Sequence, residues 1–352
     1  MRFILPLLVI ALCASGCIST GDIDITVESP RRAIAGEPIV IAHRGASDYL
    51  PEHTLEAYTL AHAMQADAIE PDVVFTRDRV AICAHDITME RVTDVEKKFP
   101  DRARSDGSWY WFDFDLAEIK TLSKTGARSP LDTDDARGYT VATLAEMIEL
   151  VQRLDSARWN YMAFAGAART RAIIVPELKK PAFYAAEDPT FDPAAALVAE
   201  LATHGYTSAA DPCLIQCFDL DTIEHLATLT DLPLVWLTAD EPTPQQLDRA
   251  QAAAKSLGPN RSLLEHDDGT PKPLLAEAKS RRLRLFPWTF KNTYDDNGTK
   301  VVNDNSIHRF MFEHQVDGLF CDNPDLAVLI RTSEAVNRKR AAEEASPDSA
   351  GD

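Results

Sequence analysis

Short apolar runs that alternate with amphipathic helical segments limit this chain more than any other feature. "PIVIAH", "AIEPDVVF", "VAICAH", "RAIIVPEL", "CLIQCF", "LPLVWLT", "LRLFPWTF" and "VDGLFCD" read as strands. "TLEAYTLAHAMQ", "TLAEMIELVQRL", "DPAAALVAELATHG", "DLDTIEHLATL", "PQQLDRAQAAAKSLG", "KPLLAEAKSR" and "NPDLAVLIRTSEAV" read as helices, several opening on Thr, Asp or Pro, which suit a first turn. Strands that are apolar on both faces and joined by helices belong to parallel sheets. About eight of them in one domain length predict an α/β fold, a closed TIM (β/α)₈ barrel, over residues 38–333.

One stretch breaks the rhythm. Residues 87–140 are rich in charge and aromatics, as in "ERVTDVEKKFPDRARSDGSWYWFDFDLAEIKTLS". That is too long for a simple loop, so a small inserted subdomain is expected there, after the early strands. At the ends, residues 18–37 read as a polar tether and residues 334–352 as a charged, low-complexity, disordered tail.

Residues 1–17, "MRFILPLLVIALCASGC", have the charge, apolar run and small residues of a secretory signal and are too short to span a membrane. Ala14-Ser15-Gly16-Cys17 resembles a bacterial lipobox, with Ala14 where Leu is usual. That resemblance implies an exported protein attached to a membrane through lipidated Cys17; ordinary cleavage near the same place is the alternative. Ile18, rather than Asp, would direct a Gram-negative lipoprotein to the outer membrane, facing the periplasm. Beyond the leader, Cys83, Cys213, Cys217 and Cys321 read as buried free thiols.

In such a barrel the active site lies at the C-terminal ends of the strands. His43-Arg44, Glu70 and Asp72, His85-Asp86, Glu177 and Lys179, Gln216, Trp288 and Asp322 all stand at such ends. Glu70 and Asp72, two apart in a strand, share a face. They either reach solvent or Arg77, or join Glu177 around a hard divalent cation that relieves their repulsion. His43 and His85 are either structural hydrogen-bonders or an acid–base pair suited to neutral pH. Arg44 and Lys179 would neutralise phosphate oxygens or pair with the carboxylates. Trp288 is a candidate substrate contact. The remaining histidines, His53 among them, read as helix or loop residues without catalytic duty. The net charge of −19 opposes a nucleic-acid partner, so positive charge must be concentrated at the site.

"AHRGASDYLPEHTLEAY", "IEPDVVFTRDRVAICAHD", "RVTDVEKKFPDRARSDG", "VPELKKP", "LIQCFD", "PWTF" and "VDGLFCDNPD" together resemble the glycerophosphodiester phosphodiesterase family, within it the long exported bacterial type that carries an inserted segment. The resemblance runs from about residue 38 to 330. It implies a TIM barrel, one divalent cation (calcium in the exported type, with magnesium the alternative) and hydrolysis of a small glycerophosphodiester to glycerol 3-phosphate and an alcohol. It matches His43 and His85 to the catalytic histidines and Arg44 to the phosphate-binding arginine. Glu70, Asp72 and Glu177 match the metal ligands, and Lys179 the lysine that follows them. Cys217 and Cys321 stand where Ser and Thr are usual. Two other readings are a non-catalytic ligand-binding lipoprotein of this fold and a related phospholipid phosphodiesterase. All seven matched residues are present, which favours the enzyme.

Overall fold

A computed structural model describes residues 37–124, 138–162, 171–294, 300–301 and 304–345. The expected leader, Cys17 and nearly all of the tether lie outside the described residues. The strands are β1 (Ile39–His43), β2 (Ala68–Glu70), β3 (Asp72–Phe75), β4 (Ala81–Cys83), β5 (Ile173–Ile174), β6 (Glu177–Leu178), β7 (Ile215–Cys217), β8 (Leu234–Thr238), β9 (Ser256–Pro259), β10 (Arg284–Leu285), a ribbon of β11 (Thr293–Tyr294) with β12 (Lys300–Val301), and β13 (Gly318–Cys321).

Two prolines cut single staves in two. Pro71 separates β2 from β3 and Pro176 separates β5 from β6, because proline has no N–H for the ladder. Their carbonyls still serve it: Glu177 N donates to Pro71 O and Gln216 N to Pro176 O, each at 2.9 Å. The staves run β13-β1-β2-β5 in one ladder and β10-β9-β8-β7-β6-β3 in the other. The seam between β10 and β13 closes through Asp317 N to Leu285 O at 3.0 Å and Phe290 N to Phe320 O at 2.8 Å. Counting each split stave once gives eight parallel staves, a closed (β/α)₈ barrel.

The expected eight strands and the observed eight are not the same set. "VAICAH" forms β4, which pairs antiparallel with β3 as a hairpin outside the barrel. Its place is taken by "SLGP", β9, which reads in sequence as the end of a helix; that helix stops at Ala253. Gly258 lets this stave pack, since a Cβ there would lie 2.4 Å from Leu237 Cδ2. The final helix also departs from expectation. Pro324–Glu344 passes well beyond residue 334, where the tail was expected to begin. Good helix formers carry it, Arg338 pairs with Glu334 one turn back at 3.0 Å, and the Arg338 guanidinium lies over Phe312.

Ile39, Ile41, Ala68, Val175, Leu214, Val235, Leu237, Phe286 and Phe320 fill the barrel interior. A larger apolar layer lies between staves and helices. Side-chain caps start the helices at Thr54, Asp192, Asp219 and Thr243, contributing about 1 kcal/mol each. Between β4 and the helix Leu144–Met162, short helical turns gather Met89, Val92, Val95, Trp109, Trp111, Phe114, Ile119 and Leu122 over Val74 and Ile82 of the sheet. Among the described residues, no helix is long and apolar enough to cross a membrane.

Candidate active site

β1 delivers His43 to the barrel rim, and the backbone then turns sharply. Arg44 has φ 58°, a left-handed conformation that costs a non-glycine residue about 1 kcal/mol or more. Gly45 follows at φ +84°, so close to the next helix that a Cβ would lie 2.8 Å from the Ala57 carbonyl carbon. The turn aims Arg44 inward. Its N–H donates to Glu70 Oε2 at 2.7 Å, its Nη1 donates to Glu52 Oε2 at 3.0 Å, and its Nε stands 3.2 Å from Asp72 Oδ2.

Parallel register sets the carboxylates side by side. His43 is level with Glu70, Asp72 with Glu177, and Glu177 with Gln216. Glu70, Asp72 and Glu177 are buried, and one oxygen from each lies within 4.8 Å of the others. Burial, then the neighbouring Asp72, push the Glu70 carboxyl well above its usual range. Burial raises Glu177 to about 8. Burial opposes the charge on Asp72 too, but Lys179 and Arg44 outweigh it and hold that carboxyl well below its usual range. Lys179 Nζ reaches Glu177 Oε1 at 2.6 Å and Asp72 Oδ1 at 3.4 Å. Two cations therefore face three carboxylates, and the shortfall shows in the two raised glutamates.

Two histidines stand at the same rim, each held through Nδ1. His43 Nδ1 is 2.6 Å from Asp322 Oδ1, and His85 Nδ1 is 2.7 Å from Asp86 Oδ1. An ionised carboxylate there keeps the proton on Nδ1 and leaves Nε2 free. Burial, then Arg44, lower the pKa of His43, while Asp322 opposes them. His43, Arg44, Glu70, His85, Glu177, Lys179 and Gln216 line one cleft of about 400 Å³, mouth included. Phe218, Leu237, Trp288, Thr289 and Phe320 complete its wall. The cleft thus combines charged and apolar lining.

A profile of the glycerophosphoryl diester phosphodiesterase family matches residues 43–326, most of the chain. The chain belongs to this family. Among curated relatives, the glycerophosphodiester phosphodiesterase of Haemophilus influenzae is 32% identical over 252 residues, covering 67% of this chain and 66% of that protein. Glycerophosphodiester phosphodiesterase GDPD6 of Arabidopsis thaliana is 28% identical and covers 91% of this chain and 94% of that one. The match thus spans just under two thirds of the Haemophilus protein but nearly all of the Arabidopsis one. A structure of a protein from Silicibacter pomeroyi that is named putative glycerophosphoryl diester phosphodiesterase superposes with a TM-score of 0.61 at 23% identity, over 85% of this chain and 95% of that one. An Oleispira antarctica phosphodiesterase, solved in complex with sn-glycerol-3-phosphate, gives 0.60 at 21% identity, over 84% and 96%. These structures share the barrel.

The donor set of this family member fits a hard divalent cation. Among the described residues, the three groups that converge here are all carboxylates. Asp72 Oδ1 is buried with no hydrogen bond, and Lys179 Nζ stands 3.4 Å away, so the oxygen can still serve a metal ion. Arg77 is turned away, bound to Asp115 and Glu118 on the surface. Trp288 lies in the cleft wall, but its indole N–H donates to Gly258 O at 2.7 Å, so only its ring face is available.

Sequence reading missed several residues that touch this machinery. His53, a turn residue as expected, is fully buried. Its Nε2 lies 2.9 Å from Asp72 Oδ2 and its Nδ1 2.8 Å from Tyr58 Oη, and burial lowers its pKa to about 4. Glu52 holds Arg44, and Asp322 holds His43. Phe218, 42% exposed and edge-on to Trp288 at 5.4 Å, forms the mouth. The only advance signal for His53 and Glu52 was their place just before a capped helix. Asp322 was visible as one more ionisable group at a strand end.

Proposed function

We propose that this protein hydrolyses glycerophosphodiesters to glycerol 3-phosphate and an alcohol, with one divalent cation held by Glu70, Asp72 and Glu177. The observation that carries the proposal is the convergence of three buried carboxylates, two carboxylate-held histidines and two cations in a single cleft. The product bound in the Oleispira relative supports the same reading. A hard divalent cation supplies charge to offset the phosphoryl oxygens and to acidify a hydroxyl nearby. Calcium is the proposed ion, with magnesium as the alternative.

The chain's own residues divide the rest. Arg44 and Lys179 stabilise negative charge that grows on the phosphoryl oxygens. His43, kept neutral at pH 7 by its lowered pKa, accepts the proton of the substrate's glycerol hydroxyl as that oxygen attacks phosphorus. His85 protonates the departing alkoxide. Water then opens the cyclic phosphate, with the histidines exchanging roles. The Phe218 and Trp288 ring faces pack against the carbon skeleton of the substrate. No side-chain nucleophile is required, because the substrate brings its own.

The test is direct. Incubate the purified chain with glycerophosphocholine, with calcium and then with chelator, and follow glycerol 3-phosphate. Release that survives exhaustive chelation overturns the metal-dependent reading. Equal cleavage of an analogue without the adjacent hydroxyl replaces internal attack with attack by water.

Residues 87–140 are proposed as the inserted subdomain of the exported bacterial type. The protein is proposed as a lipoprotein anchored through acylated Cys17. The lipobox-like Ala14-Ser15-Gly16-Cys17 supports that placement.

A further inference from the structure

We propose that Arg91 is a positioning residue: one guanidinium that locks, through two carboxylates, both the orientation of His85 and the orientation of Arg44. The inference rests on the phosphodiesterase reading of the site and extends it to a residue outside the cleft lining.

The geometry is a continuous chain of charged contacts. His85 Nδ1 lies 2.7 Å from Asp86 Oδ1. The other oxygen, Asp86 Oδ2, accepts from Arg91 Nε at 2.7 Å. Arg91 Nη2 then donates to Glu52 Oε1 at 2.7 Å. Glu52 closes the chain by accepting from Arg44 Nη1 through Oε2 at 3.0 Å. Each carboxylate thus spends one oxygen on Arg91 and the other on a site residue. Neither can rotate without breaking a contact at both ends. The fork of a guanidinium suits this task, because its Nε and Nη2 point at two acceptors at once in fixed geometry.

Two further bonds brace the same carboxylate-bearing residues. Trp111 Nε1 donates to Asp86 O at 2.9 Å. Lys124 Nζ, buried, donates to Glu52 O at 2.6 Å. Arg91, Trp111 and Lys124 all belong to the segment that follows β4, so this segment fixes the supports of the two site residues. Arg91 hydrogen-bonds to both supports, Asp86 and Glu52. It is half-exposed, so its role is geometric rather than a large contribution to stability.

The experiment compares Arg91→Ala, Arg91→Lys and Arg77→Ala with the unmodified protein on glycerophosphocholine in calcium. Arg77 is the control, since it pairs with Asp115 and Glu118 of the same segment away from the cleft. Residues that orient metal ligands cost about 10–100-fold when removed, and by the same logic of orientation kcat of Arg91→Ala should fall by about 10-fold or more. Its melting temperature and calcium affinity should stay close to those of the unmodified chain. Arg91→Lys should recover part of the loss, because an ammonium reaches one carboxylate but lacks the fork. Arg77→Ala should keep its kcat. If Arg91→Ala turns over at the unmodified rate, or if its loss equals its loss of folded fraction, Arg91 positions nothing. An unmodified chain that releases no glycerol 3-phosphate overturns the proposed function instead, a separate outcome.

Discussion

Replacing Asp322 by Asn should slow turnover about 100-fold or more while leaving the fold and the metal site in place. Asp322 Oδ1 lies 2.6 Å from His43 Nδ1, and its carboxylate is almost fully buried. When His43 takes a proton it becomes an imidazolium facing that carboxylate. Unit charges 2.6 Å apart interact by about 6 kcal/mol at an effective dielectric near 20. Charge spread over both ring nitrogens and both carboxylate oxygens reduces this to roughly 3 kcal/mol, about 10²-fold in rate. A second effect adds to it. The Asn amide can donate to Nδ1, which would leave the proton on Nε2, the nitrogen that accepts one in the proposed reaction. The assay is steady-state release of glycerol 3-phosphate across pH. The carboxylate raises the His43 pKa, so its loss lowers it. In the proposed reaction His43 acts as the base, so activity falls on the acid side of its pKa. The acid limb of the profile should therefore move to lower pH in Asp322→Asn. A variant within about threefold of the unmodified kcat, a change of under 1 kcal/mol, with an unmoved acid limb would refute this account.

Asp72→Asn removes the carboxylate whose Oδ1 lacks a hydrogen bond, so calcium affinity and activity should both drop while circular dichroism stays unchanged; calorimetric titration reads the affinity directly. Lys124 is buried, and burial lowers its pKa from 10.5 to about 8. Between those values the unfolded chain binds more protons than the folded one, so stability rises with pH from about 8 to 10.5. The gain should reach roughly 3 kcal/mol relative to Lys124→Met, measured by urea unfolding at several pH values; parallel profiles would refute it. Cys17→Ser should move the activity from the membrane fraction to the soluble fraction and remove the mass of the lipid, and retention in the membrane with unchanged mass would refute the anchor.

Local sequence determined the elements and the type of chemistry. Apolar runs, capped helices and the two proline-split staves are short-range properties, so residues 68–75 and 171–178 announced themselves with their carboxylates already at the rim. The same is true of His43 and His85, each the last residue of an apolar run. Tertiary structure decided what those groups meet. His43 and Asp322 are 279 residues apart, and Glu70 and Gln216 are 146 apart. No periodicity links such pairs; barrel closure does, by returning β13 to the side of β1. Three-dimensional pairing also decided the staves, pairing "VAICAH" antiparallel with β3 and placing "SLGP" in the barrel, where Gly258 fits against Leu237. Burial decided the protonation balance, raising Glu70 and Glu177 while Lys179 and Arg44 hold Asp72 ionised. It also made His53 a buried partner of Asp72. Desolvation and pairing act through space, so a chain read one residue at a time shows which groups are present but not which of them share a charge.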